Sequence, residues 1–167
     1  MTVRRCIPWP DVRLRTPAAE VPEITDAIRT LWDDMIDTMD AMPGVGLAAP
    51  QIGVMLRIAV VDATDTRTRR IRMANPEILD ASAVMREHEE ASPNLPGVSA
   101  KVSRPRGVAV RFMNEDGLYV RRDFVELEAT SVQHQIDHLN GKMYFDRLGA
   151  VKRDMLLRKA RKIKGQA

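Results

Sequence analysis

The sequence is short of cysteine, of aromatic residues and of long apolar runs, and each shortage closes off a class of protein. Its single cysteine, Cys6, cannot form an internal disulfide, so the chain is not a bridge-stapled secreted scaffold, and a cytoplasmic location is expected. No stretch approaches the roughly 20 apolar residues of a membrane span. The basic start Met1-Thr2-Val3-Arg4-Arg5 is followed by no apolar run of the kind a secretory leader carries. Aromatic residues make up only 4% of the chain, so its core must come from Leu, Ile, Val, Ala and ten Met. With 167 residues, 44% hydrophobic and 29% charged, the chain can bury one core, and a single domain over 1–167 is expected.

The net charge of +3 is unevenly spread. From Arg147 to Ala167 there are eight basic residues and one acid, Asp154, a local charge of +7 that leaves −4 for the rest. A basic C-terminal segment on a mildly acidic body suits either an RNA- or ribosome-directed tail or an ordinary solvated helix end. Neither DNA nor a membrane is expected as a partner.

Ile24, Ile28, Leu31, Trp32, Met35, Ile36 and Met39 recur at spacings of three and four, one face of an amphipathic helix that Pro43-Gly44 stops. The following Gly44-to-Gly53 segment is rich in glycine and small residues and is expected to leave its backbone accessible. Leu56–Val61, Arg70–Ala74 and 78–89 read as strands, with a kink before Ala91 to Gly97. Val108–Met113 and Leu118–Val120 flank an Asp-Gly pair, a hairpin signal. Asp123 and Glu126 have the spacing of a capping box, predicting a helix from there to Asn140 with Gly141 as its stop, and a last helix is predicted over Asp154–Lys164. Strands mostly precede the last helices without βαβ alternation, which makes the class α+β.

On the first of these late helices, Leu127, Ser131, His134 and His138 share a face, so the two imidazoles can share a metal ion. A histidine pair at this spacing equally describes two residues packed or solvated on a helix. In His134-Gln135-Ile136-Asp137-His138 the second place holds an amide. The metalloprotease form of the motif needs a carboxylate there, to take a proton from metal-bound water and hand it to the leaving amine.

Three segments, Gly44 to Gln51, Glu90-x-Ser92-x-x-x-Pro96-Gly97 and Gln133 to Gly141, follow the order and approximate spacing of the signature motifs of the peptide deformylases, and nearly the whole chain resembles that family. The resemblance implies a peptide-deformylase-like fold, antiparallel β-sheets around a central helix carrying the histidine pair, with a C-terminal helix. It implies a divalent metal (iron, zinc or nickel) held by two histidines and a cysteine, and removal of the formyl group from the N-terminal methionine of new chains. Carried over by residue, it makes His134 and His138 metal ligands, Gln51 an oxyanion donor and Glu90 a supporting carboxylate. Gly44, Val45, Gly46 and Leu95 become the substrate-binding positions, the three-residue segment pairing with the peptide as an added strand.

Three positions depart from the pattern. Ser92 stands where the family has its cysteine ligand, and a hydroxyl is a poor donor beside a thiolate, so weak or absent metal binding is expected. Pro93 has no N–H for the oxyanion, a loss usually worth about 10²–10³ in rate. Gln135 replaces the catalytic glutamate, worth about 10²–10⁴. His88, four positions before Ser92, lies about 13 Å away along an extended strand, beyond direct coordination. Cys6 reads as a small buried hydrophobe. Three functions are compatible with these residues. The first is a catalytically impaired relative, a pseudoenzyme of protein biosynthesis, that binds formyl-Met chain ends or the ribosome. The second is an active amide hydrolase with an altered metal site, and the third a scaffold or dimerisation partner.

Overall fold

The apolar stripe that ends at Met39 folds as helix α1, Asp26–Ala41, in the computed structural model, which describes residues 2–165. Met1, Gln166 and Ala167, part of the expected 1–167 domain and of the basic C-terminal count, lie outside the described residues. The Thr25 side chain caps α1 by accepting from the Ile28 N–H at 3.3 Å. The Trp32 indole N–H donates to the Met73 carbonyl at 3.2 Å, so the largest core side chain is buried with its polar atom satisfied.

Strands β1 (Gly46–Ala48), β2 (Ile58–Val61) and β3 (Ile71–Ala81) are followed by β4 (Met85–Ser92), β5 (Leu95–Pro105), β6 (Gly107–Met113) and β7 (Tyr119–Val125). Five form an antiparallel sheet in the order β1-β2-β3-β6-β7, while β4 and β5 make a separate antiparallel hairpin. Side chains alternate between the faces of a strand, and all four β2 residues are buried because both faces of the sheet are covered. Ile58 and Val60 meet α1; Ala59 and Val61 meet helix α2, Glu126–Leu139. A third core joins the hairpin to helix α3, Ala150–Gly165, through Leu95, Val98, Val102, Phe145, Leu156 and Ala160. Among the described residues no helix is long and apolar enough to cross a membrane.

The α+β class stands as expected, and several boundaries do not. Residues 78–81 continue β3, and β4 starts only after a turn at 82–84, so the expected 78–89 strand is divided between two strands. Leu95–Pro105, with Pro96, Gly97 and Pro105 as apparent breakers, is a full strand because β4 supplies its ladder. Asp123 belongs to β7 and caps nothing; Val125 occupies the cap position without a side-chain bond, so the chain passes directly from strand to helix. Helix α3 begins four residues before the expected Asp154. The Gly44-to-Gly53 segment is less open than expected. Leu47 to Gln51 are buried, because β1 pairs with β2 and a 3-10 turn follows at Ala49–Ile52.

Candidate functional site

Every residue of α2 from Ala129 to Leu139 is buried, since the helix lies between the sheet and the β4–β5 hairpin. At its end Gly141 has φ +76°, and a methyl carbon there would lie 2.8 Å from the Arg15 carbonyl oxygen, so only glycine fits this stop. The buried helix puts polar side chains where water cannot serve them, and a chain of ion pairs does so instead. Arg104 on β5, fully buried, donates from Nε and Nη2 to Glu90 at 2.7 and 2.9 Å, and from Nη1 to Asp137 at 2.8 Å. Arg147 closes the outer end with two 2.7 Å bonds to Asp137. Burial pushes the Glu90 and Asp137 carboxyls up, but hydrogen bonds from His134 and Arg104 and the charge of Arg104 for Glu90, and hydrogen bonds and charge from Arg147 and Arg104 for Asp137, outweigh it and lower both.

The inner end of this chain sets the histidines. His134 Nδ1 lies 2.7 Å from Glu90 Oε1; beside a carboxylate it carries the proton, leaving a lone pair on Nε2. The two Nε2 atoms of His134 and His138 face each other at 3.2 Å. Burial lowers the His138 pKa well below the ordinary range, so this ring is neutral. Two nitrogens held by one tetrahedral ion at 2.0–2.1 Å lie about 3.3–3.4 Å apart, and the imidazole pair fits that spacing.

A cavity of about 410 Å³ opens over His134. Its wall includes Gly44, Val45, Gly46, Gln51, Ser92, Pro93, Leu95, His134 and Gln135, so the tertiary fold gathers the residues singled out in all three segments. His138 lies behind His134, fully buried. His88 also lines the cavity, on the face of β4 that carries Glu90. Cys6 lies elsewhere, half-buried, its thiol 3.8 Å from the Met42 sulfur; burial pushes that thiol up.

The strand edge is narrower than the glycine-rich sequence implied. Gly44 N–H donates to the Met39 carbonyl at 2.8 Å, and its own carbonyl accepts from Arg67 Nη1 at 2.6 Å. The Val45 carbonyl accepts from Asp62 N–H at 3.0 Å and from Ser131 Oγ at 2.9 Å. Since the Val45–Asp62 pair is hydrogen-bonded, ladder alternation turns the Gly46 N–H and C=O away from β2, toward the open side of this edge strand. A methyl carbon on Gly46 would lie 2.5 Å from both Gln135 Nε2 and Ser131 Oγ, so any side chain here must displace those two groups of α2. Gln135 is buried against it, and its Oε1 has no hydrogen-bond partner.

Sequence reasoning gave no role to Arg104, Arg147, Arg67 or Asn94. Arg104 reaches partners 14 and 33 residues away and Arg147 one 10 residues away, beyond any helix or turn spacing, and Asn94 sits at an unassigned place inside a motif. The donor set fits the implied metal only in part. The imidazole pair has the spacing, but Ser92 offers a neutral hydroxyl that donates to Asn94 Oδ1 at 3.1 Å. Among the described residues no three His, Cys, Asp or Glu side chains are gathered around one ion position.

The chain matches the polypeptide deformylase family model over residues 3–154. It is 42% identical over 154 residues to a peptide deformylase of Hydrogenovibrio crunogenus, covering 92% of this chain and 90% of the relative. It is 39% identical over 165 residues to one of Acidobacterium capsulatum, covering 98% and 96%. Among solved structures, a peptide deformylase from Legionella pneumophila superimposes with a TM-score of 0.91 at 39% identity, covering 99% of this chain and 97% of that one. One from Ehrlichia chaffeensis in complex with actinonin gives 0.90 at 33% identity, covering 97% and 98%. The match runs through the fold, the groove and the histidine helix alike, and this chain belongs to the polypeptide deformylase family.

Proposed function

We propose that this chain keeps the family's groove for formyl-methionyl chain ends but binds a divalent metal weakly or not at all and cleaves the formyl amide poorly or not at all. The observation that carries the reading is that Ser92, Gln51 and Gln135, the polar side chains beside His134 in the cavity wall, are all neutral, while of the two carboxylates in that wall Glu90 is committed to Arg104 and His134 and Glu89 is solvent-exposed and accepts from Ser99. A hydroxyl and two amides supply neither an anionic third ligand nor a base for water. What remains is recognition: the open edge at Gly46, which suits strand addition, beside a largely apolar cavity.

The deciding measurement is elemental analysis of protein purified without added metal, together with formate release from a formyl-Met peptide. The proposal expects well under one metal per chain and formate at background. A full complement of metal with formate release abolished by His134→Ala would overturn it. Amides around Gly44 to Gly46 should shift on adding millimolar formyl-Met peptide, and the absence of any shift would remove the binding role. The opposing reading, an active hydrolase with an altered site, draws support from the 3.2 Å spacing of the imidazole pair, and the same metal analysis separates the two.

Helix α3 is proposed as a ribosome contact. Lys152, Arg158, Lys159, Arg161, Lys162 and Lys164 are exposed around a face that Leu156 and Ala160 bury against the hairpin. Basic side chains on such a face attract phosphates. Ribosome co-sedimentation should weaken when Arg158, Lys159, Arg161 and Lys162 are neutralised; unchanged co-sedimentation excludes the contact.

A further inference from the structure

We infer that Asn94 is a positioning residue that turns the Gln51 amide and the Ser92 hydroxyl into the protein and away from the cavity they line. Asn94 forms the turn between β4 and β5 and is 1% exposed. Its orientation follows from its partners. Nδ2 lies 2.7 Å from the Ile7 carbonyl and 2.9 Å from the Gln51 carbonyl, and two carbonyl oxygens accept only from the NH₂ end. Oδ1 therefore faces Gln51 Nε2 at 2.8 Å and Ser92 Oγ at 3.1 Å. Gln51 is fixed in turn, because its Oε1 accepts from the Ala48 N–H at 2.9 Å.

The circuit closes on itself. Gln51 Nε2 has two hydrogens, one directed to Asn94 and the other toward Ser92 Oγ at 3.5 Å. Ser92 has one, given to Asn94, and its oxygen is approached by the Asn94 N–H at 3.4 Å. Asn94 thus takes the Ser92 hydrogen and one Gln51 hydrogen, and the other Gln51 hydrogen points toward Ser92 through a long contact, so Asn94 weakens an oxyanion donor independently of Pro93. Replacing Ser92, Pro93 and Gln135 with the family's cysteine, leucine and glutamate removes the Ser92 arm of this circuit but leaves Asn94 on Gln51.

Two measurements test the role. In ligand-free protein, side-chain amide hydrogen exchange read by NMR should be slow at Gln51 and about tenfold faster in Asn94→Ser, the size expected for one lost hydrogen bond. The Asn75 side-chain amide, held by the Val21 carbonyl at 2.8 Å, should not change and controls for general loosening. Equal Gln51 rates in the two proteins overturn the role. If Asn94→Ser does not fold, the unaltered protein decides: exchange at Gln51 as fast as at the exposed Asn140 amide overturns it, and slower exchange supports it.

The second measurement rests on the proposed binding of formyl-Met ends. N-formyl-Met-Ala should bind Asn94→Ser about three- to tenfold more tightly, with a shift of the Gln51 side-chain signals that the unaltered protein lacks. An equal shift in both proteins overturns the role. A peptide that perturbs neither Gly46 nor Gln51 in either protein defeats the binding proposal, and the exchange measurement then judges Asn94 alone.

Discussion

Replacing Arg104 with methionine should cost about 3–5 kcal/mol of folding stability, the usual penalty for breaking a buried ion pair from one side. The guanidinium is fully buried between Glu90 and Asp137, both themselves buried, and makes three of the hydrogen bonds that satisfy them. Methionine of similar length fills the space but leaves Glu90 with only His134 and Asp137 with only Arg147. For a chain of this size the penalty corresponds to a fall of about 6–20 °C in the midpoint of thermal unfolding at pH 7. Arg69→Met, which breaks the outward-facing pair with Glu128, is the control and should cost about 0–1 kcal/mol. Adding Glu90→Gln to Arg104→Met should recover part of the loss, because the stranded charge goes with it, and this non-additivity is the signature of coupling. If Arg104→Met melts no lower than Arg69→Met, the buried chain does not hold the site together and the account of His134 orientation fails with it.

Acid should act on the same network. Glu90 and Asp137 have lowered carboxyl pKa values in the folded protein, so their contribution is present above the ordinary carboxylate range near pH 4 and is lost as pH falls through the folded values. Urea unfolding between pH 7 and pH 2.5 should show a decline below about pH 4 that is shallower in Arg104→Met; parallel declines contradict the assignment. Gln135→Met should raise stability by up to about 1–3 kcal/mol in chemical unfolding, since it removes a buried carbonyl without a partner, and a loss would mean that Oε1 is satisfied in solution. Gly46→Ala should cost about 1–3 kcal/mol and abolish peptide-induced shifts at the strand edge, because its methyl group meets Gln135 and Ser131 at 2.5 Å. Normal melting with intact shifts would show that α2 can retreat.

Sequence alone determined the α+β class, helix α1 and the family, because those rest on local periodicity and on motifs whose residues lie close together in the chain. It also determined which chemical groups are present at positions 92, 93 and 135, since the identity of a side chain needs no coordinates. Strand β5 was illegible because its pairing comes from β4, and the ladder overrides the breakers Pro96 and Gly97. Helix α2 buries Ala129–Leu139, polar residues included, so polarity does not mark a solvent face there, and its start was misplaced by the spacing of Asp123 and Glu126. Only the tertiary structure decided that Arg104 on β5 joins Glu90 on β4 to Asp137 on α2, and that Asn94 holds Gln51 across 43 residues of chain. These bonds satisfy buried polar atoms by whichever side chain the fold brings near, and that proximity is a property of the packed elements rather than of any local stretch.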